Sequence, residues 1–171
     1  MVQFGKNLKI LYLHGLESNQ GGPKVDFLSE NHMVMAPKLD YKHPDCFHEV
    51  GMLVRNNHFD LIIGSSMGGY LAFLLGETFE IPTLLFNPAL HSRSFEPVNH
   101  FKPNFGNNEV EHTVILGFND KTIDGGKTIQ FLEENNIKYL EYSLNFGHQS
   151  PLSIFMTYVN ETIEKCQRNL I

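Results

Sequence analysis

The chain has 171 residues, of which 42% are hydrophobic and 19% charged, and thirteen Lys and Arg against nineteen Asp and Glu leave a net charge of −6. Such a composition belongs to globular chains, and at this size roughly 70% of the unfolded surface is buried on folding, enough for one self-sufficient core. The acidic balance without any basic run argues against a nucleic-acid grip or a polybasic membrane patch, and no apolar stretch reaches the length of about eighteen residues that a membrane span needs.

Short apolar runs alternate with segments of helical period. Leu8 to Leu13 reads as a first strand, followed by a helix beginning near Pro23, a residue suited to the first helical turn. Met33 to Ala36 is a short second strand. Pro44 then opens a helix with Phe47, Val50 and Val54 on one face. Leu61 to Gly64 is the third strand, Met67 to Gly76 a strongly apolar helix, and Thr83 to Phe86 the fourth strand. Residues 88–111 show little periodicity and read as an irregular excursion, a candidate small lid. Val114 to Leu116, a helix from about Gly125 to Asn135, and Tyr139 to Leu144 follow. The last helix starts after Ser150-Pro151, with Leu152, Phe155, Val159, Ile163 and Cys166 on one stripe. Strand–helix alternation with short connections implies an α/β domain over 1–171, a three-layer αβα sandwich with about six parallel strands covered on both faces. Cys46 and Cys166 form no C-x-x-C pair, and Met1 to Lys9 holds no signal-like apolar core, so a cytoplasmic chain with reduced thiols is expected.

In such sheets chemistry collects beyond the carboxyl ends of the strands. After the third strand stands Gly64-Ser65-Ser66-Met67-Gly68-Gly69, a G-x-S-x-G centred on Ser66. A nucleophile on a sharp strand-to-helix turn needs neighbours without a Cβ, and the helix start behind it offers free N–H groups. Beyond the fifth strand comes Asp120, placed to hold a histidine in one tautomer. Asp124 reads as a helix cap instead. After the sixth strand, His148 lies just before the final helix, placed as a general base. The chain order Ser66, Asp120, His148 is that of one hydrolase architecture. After the first strand, a tight turn at Gly15 would aim the Leu16 N–H at the site, forming an oxyanion hole with the Met67 N–H. His14 falls in the wrong place in that order and reads as structural.

Leu11-Tyr12-Leu13-His14-Gly15, the Ser66 motif, Asn87-Pro88-Ala89, Gly117-Phe118-Asn119-Asp120 and Gly147-His148 together resemble the α/β-hydrolase superfamily, and more narrowly the small bacterial YqiA-type esterases. The resemblance implies a six-stranded parallel core and hydrolysis of carboxylic esters or thioesters, with Ser66 as nucleophile, Asp120 as orienting acid and His148 as base. Leu16 and Met67 become the oxyanion donors. Leu16 stands where those esterases more often have Phe. The implied partner is a small acyl-ester or thioester substrate. No cofactor or metal is called for, and no oligomeric state is specified.

Rival readings are weaker. Gly126-Lys127-Thr128 resembles the end of a phosphate-binding loop, but that motif needs a glycine at position 121, which is Lys. A metal site would draw on His43, Asp45, Cys46 and His48, where Pro44 and Asp45 read as a helix start. Phe95, Phe101 and Phe105 fit either an acyl pocket or anchors onto the core. Tyr70, Phe73 and Leu74 read as helix packing. The alternative in a different class is a non-catalytic ligand- or protein-binding module on a hydrolase scaffold.

Overall fold

β-Branched and leucine-rich runs that lack polar alternation can rest only in the interior of a sheet covered on both sides, and they do so here. A computed structural model describes residues 7–169. In chain order the elements are β1 (Lys9–Leu13), α1 (Pro23–Ser29), β2 (Met33–Met35), α2 (Cys46–Arg55), β3 (Leu61–Ser65) and α3 (Met67–Phe79). They continue as β4 (Thr83–Phe86), β5 (His112–Gly117), α4 (Gly125–Glu134), β6 (Tyr139–Leu144) and α5 (Leu152–Asn169). All neighbouring strands pair in parallel, in the order β2-β1-β3-β4-β5-β6. The six carboxyl ends therefore open on one rim. The chain leaves β1 toward β2, then returns past β1 to β3, so the order reverses between β1 and β3. In open α/β sheets that reversal is where ligands bind.

Alternate strand residues feed two separate cores, as the two-residue period of a strand requires. Leu11, Leu13, Ile62, Leu85, Val114 and Leu116 face α2, α3 and α4, where Phe47, Leu71, Phe73 and Leu132 meet them. Ile10, Tyr12, Leu61, Ile63, Leu84 and Ile115 face α1 and α5, where Leu28, Phe155, Val159 and Ile163 close the layer. No helix among the described residues is long and apolar enough to cross a membrane.

Three boundaries differ from the sequence expectation, each for a local reason. Pro44 lies in a turn in which the Cys46 N–H donates to the His43 carbonyl, and α2 begins at Cys46. β5 starts two residues before Val114, at His112, whose imidazole is fully buried and satisfied by side chains. α3 runs to Phe79 and stops where Glu80 turns left-handed at φ 55°. The expectation of continuously apolar strands holds for β3, whereas β4 and β5 open with the buried polar residues Thr83, His112 and Thr113. β6 is an edge strand, and its Glu141 and Ser143 lie exposed.

Residues 88–111 contain no helix or strand. Phe95, Phe101 and Phe105 all pack against the α2–α3–α4 core. The Phe101 ring occupies the space beside Gly51, where an added Cβ would fall 2.4 Å from it. Phe105 lies against Phe73 and Phe131. These rings are core anchors and do not line an acyl pocket.

Candidate active site

The site begins with a strained turn. β3 delivers Ser66 at φ 53° and ψ −117°, immediately before α3. A residue with a side chain stores about 1–3 kcal/mol there, so its surroundings must hold it. They do: the Ser66 N–H donates to the Phe86 carbonyl at 3.0 Å, and the Ser66 carbonyl accepts from the Ala89 N–H at 3.0 Å. Two glycines make the turn sterically feasible. A Cβ on Gly64 would stand 2.3 Å from the Gly68 carbonyl oxygen, and one on Gly68 would stand 2.2 Å from that of Leu13. Strand and helix thus pass at a distance that no other residue type allows.

His148 reaches this serine from the β6–α5 loop. Its Nε2 lies 3.1 Å from Ser66 Oγ, and its Nδ1 lies 2.8 Å from Asp120 Oδ2. The Asp120 carboxylate is fully buried, while the His148 side chain remains 30% exposed toward the cleft. Asp120 Oδ1 accepts from the amides of Thr122 at 2.7 Å and Ile123 at 3.0 Å. With one oxygen fixed by two amides, the other is aimed at the imidazole. An acceptor-only carboxylate beside Nδ1 puts the proton on that nitrogen and leaves Nε2 with a lone pair facing the hydroxyl.

The β1–α1 loop crosses above the serine. An added Cβ on Gly15 would lie 3.6 Å from Ser66 Cβ. The Leu16 amide has no acceptor among the described residues. Met67 opens α3, where the first N–H groups have no carbonyl one turn back and the helix dipole is positive. Leu16, Met67, Ser66 and His148 all line one cleft of about 750 Å³. His14 is turned away from it. Its Nε2 accepts from the Leu39 N–H at 3.0 Å, and its Nδ1 lies 2.7 Å from the Gly15 carbonyl. It pins the β2–α2 loop beneath the β1 rim.

Asn87, which the sequence offers only as part of a resemblance, ties the rim together. It is 1% exposed and has φ 41°. Its Nδ2 donates to the carbonyls of Gly147 at 3.0 Å and His148 at 2.9 Å, and its Oδ1 accepts from the Gly117 N–H at 2.8 Å. The loop carrying His148 therefore hangs from the end of β4 and the end of β5 at once. The sequence signal for it is an asparagine directly after an apolar strand, in line with the other rim residues.

The rival motifs fall elsewhere. Thr128 of Gly126-Lys127-Thr128 is fully buried, near His91 Nδ1 at 3.3 Å, and Asp124 caps α4 through the Lys127 N–H at 3.2 Å. Cys46 faces the core beside Phe47, and burial pushes its thiol up to about 11. His48 lies against His100, and His43 accepts the Asp45 N–H. No group of three metal-ligating side chains converges among the described residues.

The profile of the uncharacterised protein family UPF0227 matches residues 9–140. The chain belongs to this family. The matched stretch contains the Ser66 turn and Asp120, and His148 lies beyond it. A UPF0227 protein of Vibrio vulnificus (strain CMCP6) is 29% identical over 154 residues, covering 72% of this chain and 82% of that one. An α/β hydrolase enzyme from the metagenome of Mar Chica lagoon sediments, Morocco, superposes with a TM-score of 0.70 at 15% identity, covering 98% of this chain and 94% of the other. SOBER1 of Arabidopsis thaliana superposes with a TM-score of 0.67 at 14% identity, covering 94% and 99%. This UPF0227 chain has the α/β-hydrolase fold.

Proposed function

We propose that the chain is a serine hydrolase that cleaves carboxylic esters or thioesters through Ser66, Asp120 and His148 and an acyl-enzyme intermediate. The observation that carries this reading is the unbroken line from Asp120 Oδ2 through His148 to Ser66 Oγ, with links of 2.8 and 3.1 Å, ending on the strained Ser66 turn in an open cleft. His148 Nε2 takes the hydroxyl proton as Ser66 Oγ bonds to the acyl carbon, and the carbonyl π electrons move onto oxygen. The N–H groups of Leu16 and Met67 receive that charge. Each such donor is worth about 10²–10³ in rate. His148 then protonates the leaving alcohol or thiol and removes a proton from the water that releases the acid. The chain supplies every group in this cycle. Two free cysteines fit a cytoplasmic setting. Membership of a hydrolase-like fold supports the reaction class, and the open side of His148 gives substrate its approach.

The test is labelling with a fluorophosphonate probe. Wild type should label at one residue, and Ser66→Ala should not label. Adduct on another serine overturns the assignment, and a wild type that neither labels nor hydrolyses esters supports the binding-module alternative.

A further inference from the structure

The cleft over Ser66 holds an ammonium with no carboxylate bonded to it among the described residues. Against a net charge of −6 for the chain, its charged lining consists of Lys24, Arg93 and Glu17 besides the residues of the serine–histidine line. The two cations are held very differently. Arg93 Nη1 donates to the carbonyls of Ala89 and Leu90 at 2.7 and 2.8 Å, its Nη2 lies 2.7 Å from Glu96, and its guanidinium lies 4.0 Å over the Tyr70 ring. Its charge is answered, and it clamps the chain after β4. Lys24 has no carboxylate within ion-pair distance among the described residues. Its Nζ donates to Ser150 Oγ at 2.9 Å and lies 5.3 Å from the centre of the Phe155 ring. One of three ammonium hydrogens is thereby used, and two remain.

A half-buried ammonium without a counter-ion is an unfavourable arrangement unless something completes it. Desolvation holds the Lys24 amine below the usual lysine range, and no neighbouring charge compensates. Its location is specific. Ser150 stands two residues after His148, so the ammonium sits on the wall that carries the base. The same wall continues into the first turn of α5 through Leu152, whose helix dipole adds to the positive potential. The lining also includes the hydroxyls of Ser92 and Ser94, beside the apolar side chains of Leu16, Met67, Ile123 and Leu152.

Resting on the esterase reading above, we infer that the substrate is an ester or thioester bearing an anionic group, a carboxylate or a phosphate, which Lys24 binds while the carbonyl lies against Ser66. Lys24 is then a specificity residue. Its field also concentrates anionic substrate at the mouth of an otherwise acidic protein.

Matched esters test this. Monoethyl succinate is compared with ethyl butyrate for an anion on the acyl side, and 4-carboxyphenyl acetate with phenyl acetate for one on the alcohol side. Wild type should favour the anionic member of at least one pair by about tenfold or more in kcat/KM. Lys24→Met should shrink that ratio by a similar factor, and Lys24→Arg should retain it. A wild-type ratio near or below one in both pairs overturns the inference, and this needs no variant to fold. A ratio unchanged in Lys24→Met, or in Lys24→Gln if the first does not fold, also overturns it. Binding of monoethyl succinate and ethyl butyrate to Ser66→Ala, followed by NMR, separates this from the chemistry. Lys24-dependent preference for the anion in a protein whose wild type hydrolyses nothing would keep the anion site and remove the esterase reading. Equal or absent binding would remove the anion site.

Discussion

Among the described residues two lines of carboxylate, imidazole and hydroxyl occur, and in only one of them is the imidazole open to solvent. At the rim, Asp120, His148 and Ser66 are joined at 2.8 and 3.1 Å. At the opposite end of the sheet, Glu77, His112 and Thr83 are joined at 2.8 and 2.7 Å. The two lines even share elements. α3 follows Ser66 and carries Glu77 near its end, and β5 begins at His112 and leads to Asp120. Geometry of the hydrogen bonds therefore does not mark a catalytic line. The inner imidazole is sealed, with side-chain exposures of 0% and 2% for His112 and Glu77. Its hydroxyl belongs to a residue of β4 in ordinary strand conformation. The outer line has an imidazole open to solvent, a strained turn and, at Leu16, an amide without an acceptor among the described residues. What distinguishes a reactive constellation from a structural one is the space and the donors around it.

Substitutions along the two lines should separate them by many orders of magnitude. Ser66→Ala should lower ester hydrolysis by about 10⁴-fold or more. Thr83→Val should leave kcat unchanged and lower the unfolding free energy by about 1–3 kcal/mol, because His112 Nδ1 loses its partner. Steady-state kinetics beside urea melts would check both, and a large kinetic effect of Thr83→Val would break the distinction.

Next in size is the acid. Asp120→Asn should reduce kcat by about 10⁴-fold by favouring the wrong tautomer of His148. The inner counterpart, His112→Ala, should spare kcat per folded molecule but destabilise by about 3–5 kcal/mol, since it leaves the buried Glu77 carboxylate alone. That carboxylate already has one oxygen, Oε2, without a hydrogen-bond partner among the described residues. Thermal melts with active-site titration would measure the split.

A smaller effect belongs to Asn87. Asn87→Ala should lower kcat by about 10²-fold or less, with KM changing little, because the His148 loop shifts without losing a reacting group. Equal loss in Asn87→Ala and His148→Ala would mean that Asn87 does more than position. The smallest effect concerns the thiols. Burial pushes both Cys46 and Cys166 up to about 11, so at neutral pH each stays protonated and a poor nucleophile. Iodoacetamide should modify neither at an appreciable rate until urea unfolds the chain, as mass spectrometry would show.

Much of this was readable from local patterns. Leu61 to Gly64 and Leu84 to Phe86 are continuously apolar because both faces are covered, and the glycines around Ser66 announce a tight turn whatever surrounds them. Asp120 and His148 were legible from their place after successive strands. The rest depended on tertiary partners that no window of sequence contains. His112 looks unsuited to a buried strand until Glu77 and Thr83 are brought to it. Phe101 has no periodic neighbours, and its direction is set by the gap at Gly51, far away in the chain. Asn87 presents an amide whose three partners come from β5 and the loop after β6. Lys24 is an unremarkable first-turn lysine until α5 packs beside it.

Asn87 also has an evolutionary consequence. It is the last residue before the 88–111 excursion, and its clasp on Gly117, Gly147 and His148 fastens the start of that segment to the rim, while its far end enters β5 at His112, beside Thr83 at the other end of the sheet. Lengthening a loop whose ends are already fastened adds little entropic penalty. Drift within 88–111 can therefore redecorate the mouth around Ser92 and Arg93 while His148 stays aligned with Ser66, so on the proposed esterase reading substrate preference is free to diverge faster than the chemistry beneath it.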